Sequence, residues 1–239
     1  RGAHGVATAR LERALAEEAA IPDRVTLLSE LGAAQMILRR PEAAETLDRA
    51  HAEAGPDRAP RIAALLSELL GQAGRWEECV AIAAAGRAAV DGSEPALADE
   101  LDALQAVISA YDPALVGGLD ADRPRLDAVA RGTTWGARAL ALLLLSIDAL
   151  RGAPPGEIRT RFKGIPRDGL LLSRRAGGWA ASYLIWPLLA IDELDLAQGE
   201  IDALASAGER TGSLLAIIGA AGFSAVVAVR RGDLAAAED

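Results

Sequence analysis

The sequence has few of the residues that mark several protein classes. A single cysteine, Cys79, among 239 residues excludes an internal disulfide and any CxxC metal or redox motif, and it fits a reducing compartment. Aromatic residues make up only 3% of the chain. An all-β sandwich needs β-branched and aromatic residues at regular spacing, and these are scarce. Disulfide-rich and all-β classes are therefore disfavoured.

Positive charge is also limited. Of the 25 lysine and arginine residues only Lys163 is a lysine, a skew that, together with abundant alanine, is typical of a very GC-rich bacterial genome. The formal net charge is −9 and the sequence pI is about 4.9. This balance predicts that the chain binds neither nucleic acid nor an anionic membrane directly.

The abundant residues are those that build helices. Hydrophobic residues make up 51% of the chain and charged residues 25%, enough to bury a sizeable core. Alanine, the best helix former, accounts for roughly a fifth to a quarter of the residues, and its small side chain lets helices approach closely.

A turn signal recurs along the chain at a period of about 35 to 40 residues, the range in which helical repeats fall. Each signal follows an apolar stretch and precedes a helix with an acidic first turn, as at Gly74, which Trp76 and Glu77 follow. The turn residues are Arg39, Gly74, Asp112, Gly152, Asp192 and Gly232.

The turns divide the chain into predicted helix pairs. The first helices are Val25–Leu38, Ala59–Gln72, Pro95–Ala110, Thr134–Arg151, Ala176–Ile191 and Ser213–Arg230. The second helices are Pro41–Ala54, Trp76–Val90, Arg123–Ala130, Gly156–Phe162 and Leu194–Ala207, after a lone helix at about Val6–Ala19.

Such pairs bury their apolar faces by stacking on one another. The sequence therefore predicts an all-α fold, an α-α superhelix of stacked antiparallel helix pairs in a single domain over residues 1–239. The pattern resembles the tetratricopeptide repeat, with the small residues Gly32 and Ala44 where two helices touch, although the consensus aromatic residues are absent. Irregular connections are expected near residues 112–124 and 163–175.

The ends of the sequence indicate an excerpt of a longer protein. The chain begins at Arg1 without an initiator methionine or a leader pattern, and its last residues are typical of the first turn of a helix.

One segment has a membrane alternative. Leu214–Val229 carries no charge, but a spanning helix needs about 20 apolar residues. A buried helix in the inner layer of the repeat is the favoured interpretation, and the shorter run Ala139–Leu145 is predicted to be core.

No pattern of catalytic or cofactor-binding residues is present. The sequence lacks a GxxxxGK[ST] loop, a GxSxG elbow and a Cys–His pair at metal-ligand spacing. His51 is expected to pack between helices or to lie on the surface, and Cys79 to be a small buried residue. Acidic pairs such as Asp99-Glu100 are expected on solvated helix faces or in first turns. The chain is therefore predicted not to be an enzyme and to hold no cofactor and no metal.

The rare aromatic residues give the one candidate binding site. Trp179, Ser182, Tyr183 and Trp186 fall on one face of the predicted helix Ala176–Ile191, which Pro187 is expected to kink. They either fill gaps left by alanine in the core or form a groove for a peptide or small ligand, with Trp179 and Trp186 as anchors. In the first repeat the same surface offers only small groups and one isoleucine: Thr26, Ser29, Ala33 and Ile37.

The order of several short motifs resembles a known family. The motifs are Leu31-Gly32 with Arg40-Pro41-Glu42-Ala43-Ala44, Ala73-Gly74-Arg75-Trp76-Glu77-Glu78, Leu150-Arg151-Gly152-Ala153-Pro154, Leu194-Asp195-Leu196-Ala197, Glu209-Arg210-Thr211-Gly212-Ser213 and Arg230-Arg231-Gly232-Asp233-Leu234-Ala235-Ala236-Ala237-Glu238. This series is similar to the region between the ATPase module and the C-terminal helix-turn-helix of actinobacterial LuxR-family, MalT-like, ATP-dependent transcriptional regulators.

The resemblance implies a cytoplasmic sensor arm. In that family the repeat region binds a small-molecule inducer or a protein partner, and its neighbours in the parent chain are the ATPase and helix-turn-helix domains. The alternative is a general protein–protein interaction scaffold with no link to transcription.

Overall fold

The fold is all-α, as the sequence predicts. The structure, a computed structural model, describes residues 2–17, 23–167, 169–173 and 179–238, and this part of the chain contains helices and no strand. The chain divides into two compact units, Arg1–Pro124 and Arg125–Asp239. The boundary falls at the end of the segment 112–124, where an irregular connection was expected.

The first unit is a series of packed helical hairpins. Each helix from α1 to α6 packs against the next one along the chain, and α4 also contacts α2 and α6. The helices are α1 (Gly2–Ala16), α2 (Arg24–Ile37), α3 (Ala43–Glu53), α4 (Ala59–Gln72), α5 (Trp76–Ala89), α6 (Pro95–Tyr111) and α7 (Val116–Ala121), and α8 (Arg123–Val129) contains the boundary.

The second unit is built around one buried helix, which packs against four others. This helix is α9 (Trp135–Leu150), and its neighbours are α10 (Pro155–Gly164), α11 (Leu170–Ser173), α12 (Trp179–Ser182) and α13 (Trp186–Ala190). Leu140 and Leu142–Leu145 are almost completely buried, which confirms the predicted core run. The chain continues through α14 (Leu194–Thr211), α15 (Leu214–Arg231) and α16 (Leu234–Glu238).

Two predicted segments differ from the structure. The predicted helix Ala176–Ile191 is interrupted at Tyr183–Ile185, and residues 174–178 lie outside the described part. Pro187 has no N–H to donate to the carbonyl of Tyr183, so the helix begins again at Trp186 with Pro187 in its first turn. The segment 116–124, expected to be irregular, contains the short helix α7.

Burial also corrects two expectations. Glu100, expected on a solvated face, is only 7% exposed, because α6 packs against α4, α5 and α7. Helix α15, expected to be buried, contains only Ala216, Ala220 and Val227 as buried residues, while Ile218 is 66% exposed. By length and composition alone, α15 is long and apolar enough to cross a membrane.

The predicted turn residues share one backbone conformation. Five of the six have positive φ angles: Arg39 (54°), Gly74 (75°), Gly152 (87°), Asp192 (56°) and Gly232 (80°). The residue after each of these five donates its backbone N–H to the carbonyl of the residue five positions before it. Arg40 donates to Gln35 at 2.9 Å, and Arg75 donates to Leu70 at 3.0 Å. This is the Schellman end of a helix, which satisfies carbonyls that the last turn leaves unpaired. Asp112, with φ −102°, is the exception.

Small residues set the distance between helices. A Cβ atom built on Gly32 would lie 2.5 Å from Leu47 Cγ, and one on Gly86 would lie 2.8 Å from Ala63 Cβ. Gly32 therefore lies at a close helix contact, as predicted, although its nearest neighbour is Leu47 rather than Ala44. Cys79 is fully buried beside Gly71, and burial raises the pKa of its thiol to about 11, in agreement with the predicted packing role.

The left-handed turns predict opposite effects for two substitutions. Arg39→Gly should raise the free energy of unfolding by about 1 kcal/mol, because glycine adopts positive φ without a steric cost, whereas Gly74→Ala should lower it by about 1 kcal/mol. No atom lies within 4 Å of the Cβ position of Gly74, so only the backbone conformation is tested. Urea unfolding followed by circular dichroism measures both changes; effects of the same sign would contradict this account.

Candidate functional site

A cavity of about 500 Å³ opens in the second unit, between α14 and the segment that leads into α11. Its volume lies in the range of small-molecule sites. Its lining residues are Pro166, Arg167, Gly169, Leu170, Leu171, Leu172, Leu184, Glu200, Ala203, Ser206, Ala207, Arg210 and Thr211.

One face of α14 forms the first wall. Glu200, Ala203, Ala207 and Arg210 follow one another at steps of three and four residues, the spacing that places side chains on one side of a helix. The other buried residues of α14 include Ile201 and Leu204, which are not among the described lining residues. The middle of the wall is therefore alanine, and the charged residues stand at its two ends.

The opposite wall is apolar. The leucines of α11 line it, with Leu171 almost fully buried, and Leu184 adds a further buried side chain. Helix α11 packs against both α9 and α14, and the indole Nε1 of Trp135 donates to the carbonyl of Leu171 at 3.5 Å. The buried core helix α9 therefore holds this wall in place.

An ion pair joins the two walls. The guanidinium of Arg167 donates to Glu200 Oε1 at 2.9 Å and also lies over the ring of Phe162, 4.9 Å from its centroid. Glu200 is only 16% exposed, and burial raises its pKa although Arg167 acts in the opposite direction. Both residues of the pair line the cavity.

The other end presents unpaired polar groups. Arg210 makes no ion pair within the described part of the chain, and Ser206, one helical turn earlier, makes no hydrogen bond there. The hydroxyl of Thr211 already donates to the carbonyl of Ala207 at 2.8 Å. Ser206 and Arg210 are therefore the donors open to a ligand.

Of the four predicted site residues, the three whose side chains are described, Ser182, Tyr183 and Trp186, do not line this cavity. Trp186 is 40% exposed and packs edge to face against Phe223, with ring centroids 5.4 Å apart, while Tyr183 is only 5% exposed. Ser182 is half-buried and already has a partner in the fold. The side chain of Trp179 lies outside the described residues. Whether these residues bind a ligand stays a prediction.

Sequence reasoning missed the cavity residues. The Arg-Thr-Gly-Ser segment that includes Arg210 belongs to a family-like motif, and the segment 163–175 is predicted to be irregular, but neither pattern indicates a binding site. The sequence signal for this site is one face of a long helix on which Glu200 and Arg210 stand at the two ends and alanines lie between them.

Comparison with known proteins gives no match. No family model, curated protein or solved structure matches this chain. The resemblance to LuxR-family regulators therefore stays a prediction.

The buried carboxylate predicts a pH dependence. Because the folded-state pKa of Glu200 is raised, the protonated form is favoured in the fold, and its contribution to stability falls as the pH rises above the unfolded value of about 4.3. The melting temperatures of the wild-type chain and of Glu200→Gln should therefore be compared at pH 4 and at pH 7. The advantage of the wild type over the variant should be smaller at pH 7. Glu209→Gln, which changes an exposed carboxylate on the same helix, is the control, and an increase with pH for Glu200 would refute this sign.

Proposed function

We propose that this chain is a non-enzymatic binding module, the cytoplasmic sensor arm of a LuxR-family ATP-dependent transcriptional regulator, and that its effector binds in the cavity of the second unit. The observation that carries the proposal is the pairing of an apolar leucine wall with a few convergent polar groups on α14. Sites of this composition are typical of small-molecule binding. The helical repeat architecture is the second support, since such arrays present binding surfaces.

The link to transcription depends on the sequence resemblance alone. The resemblance implies that an ATPase module and a helix-turn-helix domain are the neighbours of this segment in the parent chain. Reading the coding sequence on both sides of this segment tests that link directly. A Walker loop upstream and a helix-turn-helix downstream would support it, and flanking sequence without either would contradict it.

Filling the cavity tests the binding role. Ala203 lies in the α14 wall, whereas Ala205 lies on the same helix outside the cavity lining, so Ala203→Phe and Ala205→Phe form a matched pair. The uncharged dye N-phenyl-1-naphthylamine, whose fluorescence rises in apolar surroundings, serves as the probe. Ala203→Phe should weaken its binding at least tenfold, since the new ring occupies the volume that the dye needs, while Ala205→Phe leaves it nearly unchanged. Equal binding by both variants would exclude the cavity as the site.

A second candidate function, a protein–protein interaction scaffold, is favoured by an exposed stripe along α15 that contains Leu214, Ile218, Ala221, Gly222 and Val229. Large residues stand at the ends of this stripe and small ones at its centre, with no charge between Leu214 and Val229. In an antiparallel pair with a second copy, Leu214 meets Val229 and Ala221 meets Gly222, so the stripe is complementary to itself.

The scaffold candidate predicts self-association through α15. In sedimentation velocity the wild-type chain should be a dimer and Ile218→Asp a monomer, because the substitution places a charge in the apolar contact. Helicity should not fall, because Ile218 is exposed in the single chain. Ala225→Ser, which replaces the residue opposite Ile218 by one of similar size, is the milder control. A wild-type chain that remains a monomer at about 100 μM would remove this candidate.

A further inference from the structure

The described residues of the cavity lining carry more positive than negative charge. Arg167 and Arg210 are basic and Glu200 is the one acidic residue among the described lining residues. Arg167 is already engaged by Glu200 at 2.9 Å and by the ring of Phe162. Among the described lining residues, the positive charge of Arg210 is left without a counter-charge.

Other arginines of the second unit differ from Arg210 in this respect. Arg230 pairs with Asp192 at 2.8 Å, Arg231 pairs with Asp195, and Arg161 pairs with Asp148 at 2.9 Å. Arg210 is also next to the hydroxyl of Ser206 on the same helix face, so a second donor converges on the same place.

The geometry points to an organic anion as the ligand of this cavity, with its apolar body against the leucine wall and its anionic group on Arg210 and Ser206. This inference rests on the proposed function and specifies the class of effector. A carboxylate, sulfonate or phosphate monoester has the acceptor oxygens that a guanidinium and a hydroxyl bind. A cationic ligand would meet Arg210 unfavourably, and a ligand without an apolar body would leave the wall of Leu170, Leu171 and Leu172 uncovered.

A pair of dyes that share one aromatic body isolates the charge. N-Phenyl-1-naphthylamine is neutral, and 8-anilinonaphthalene-1-sulfonate is the same body with an anionic group. The wild-type chain should bind the sulfonate more tightly than the neutral dye by on the order of fivefold, the size of one partly exposed ion pair. Arg210→Gln should remove this preference without changing the affinity for the neutral dye. Arg131→Gln, which changes an exposed arginine of the same unit outside the lining, should leave the preference intact.

Competition identifies the two parts of the ligand. Decanoate should displace the sulfonate dye, and decanoate should compete better than octanoate, since each methylene buried on the wall adds roughly three- to fourfold in affinity. Sodium sulfate at the same ionic strength as a sodium chloride control should displace no dye. Displacement by sulfate alone as effective as displacement by decanoate would overturn the proposed apolar contact.

The outcomes separate this inference from the proposed function. If both dyes bind with equal affinity and Ala203→Phe weakens both, the cavity binds ligands but the anion class is wrong. If Ala203→Phe affects neither dye, the dyes bind elsewhere, such as on the exposed face of α15, and both proposals fail. If the sulfonate preference survives Arg210→Gln, Arg210 is not the anchor and the inference is overturned.

Discussion

The left-handed turn that ends the first helix of a pair is the constraint on which the remainder of the fold depends. At Arg39, Gly74, Gly152, Asp192 and Gly232 the same positive φ is followed by the same backbone bond across five residues. This bond closes the last turn of one helix and directs the chain into the next helix. Arginine and aspartate occupy two of these positions at a steric cost, so the turn is kept even where the residue disfavours it.

Small side chains explain both the tight contacts and the cavity. Where two helices pack directly, glycine lets them approach, as Gly32 does with Leu47 and Gly208 with Ala216. Where α14 faces α11 across a gap, Ala203 and Ala207 are too short to fill the space, so a cavity of about 500 Å³ remains. A chain with more leucine or phenylalanine on that face would close it.

The sequence predicted the helices better than the site, for a physical reason. Helix ends are decided locally, by turn residues and by the apolar period, so α2, α4, α5 and α6 begin and end within one residue of their predicted bounds. The cavity depends on which part of the segment 166–172 meets which face of α14, a contact about 30 residues apart in sequence. Local patterns carry no such information. The same limit applies to Glu100, whose burial is decided by neighbours that its own helix does not reveal.

One helix connects the two surfaces that carry the functional proposals. The face of α14 from Glu200 to Arg210 lines the cavity, and on another side Gly208 contacts Ala216 and Ile217 of α15, with a built Cβ 2.9 Å from Ala216. At that contact α14 and α15 are too close to accommodate a side chain at position 208. A ligand changes a protein only through its different affinities for two arrangements. A rearrangement of α14 on ligand binding would therefore change its packing against α15 at Gly208.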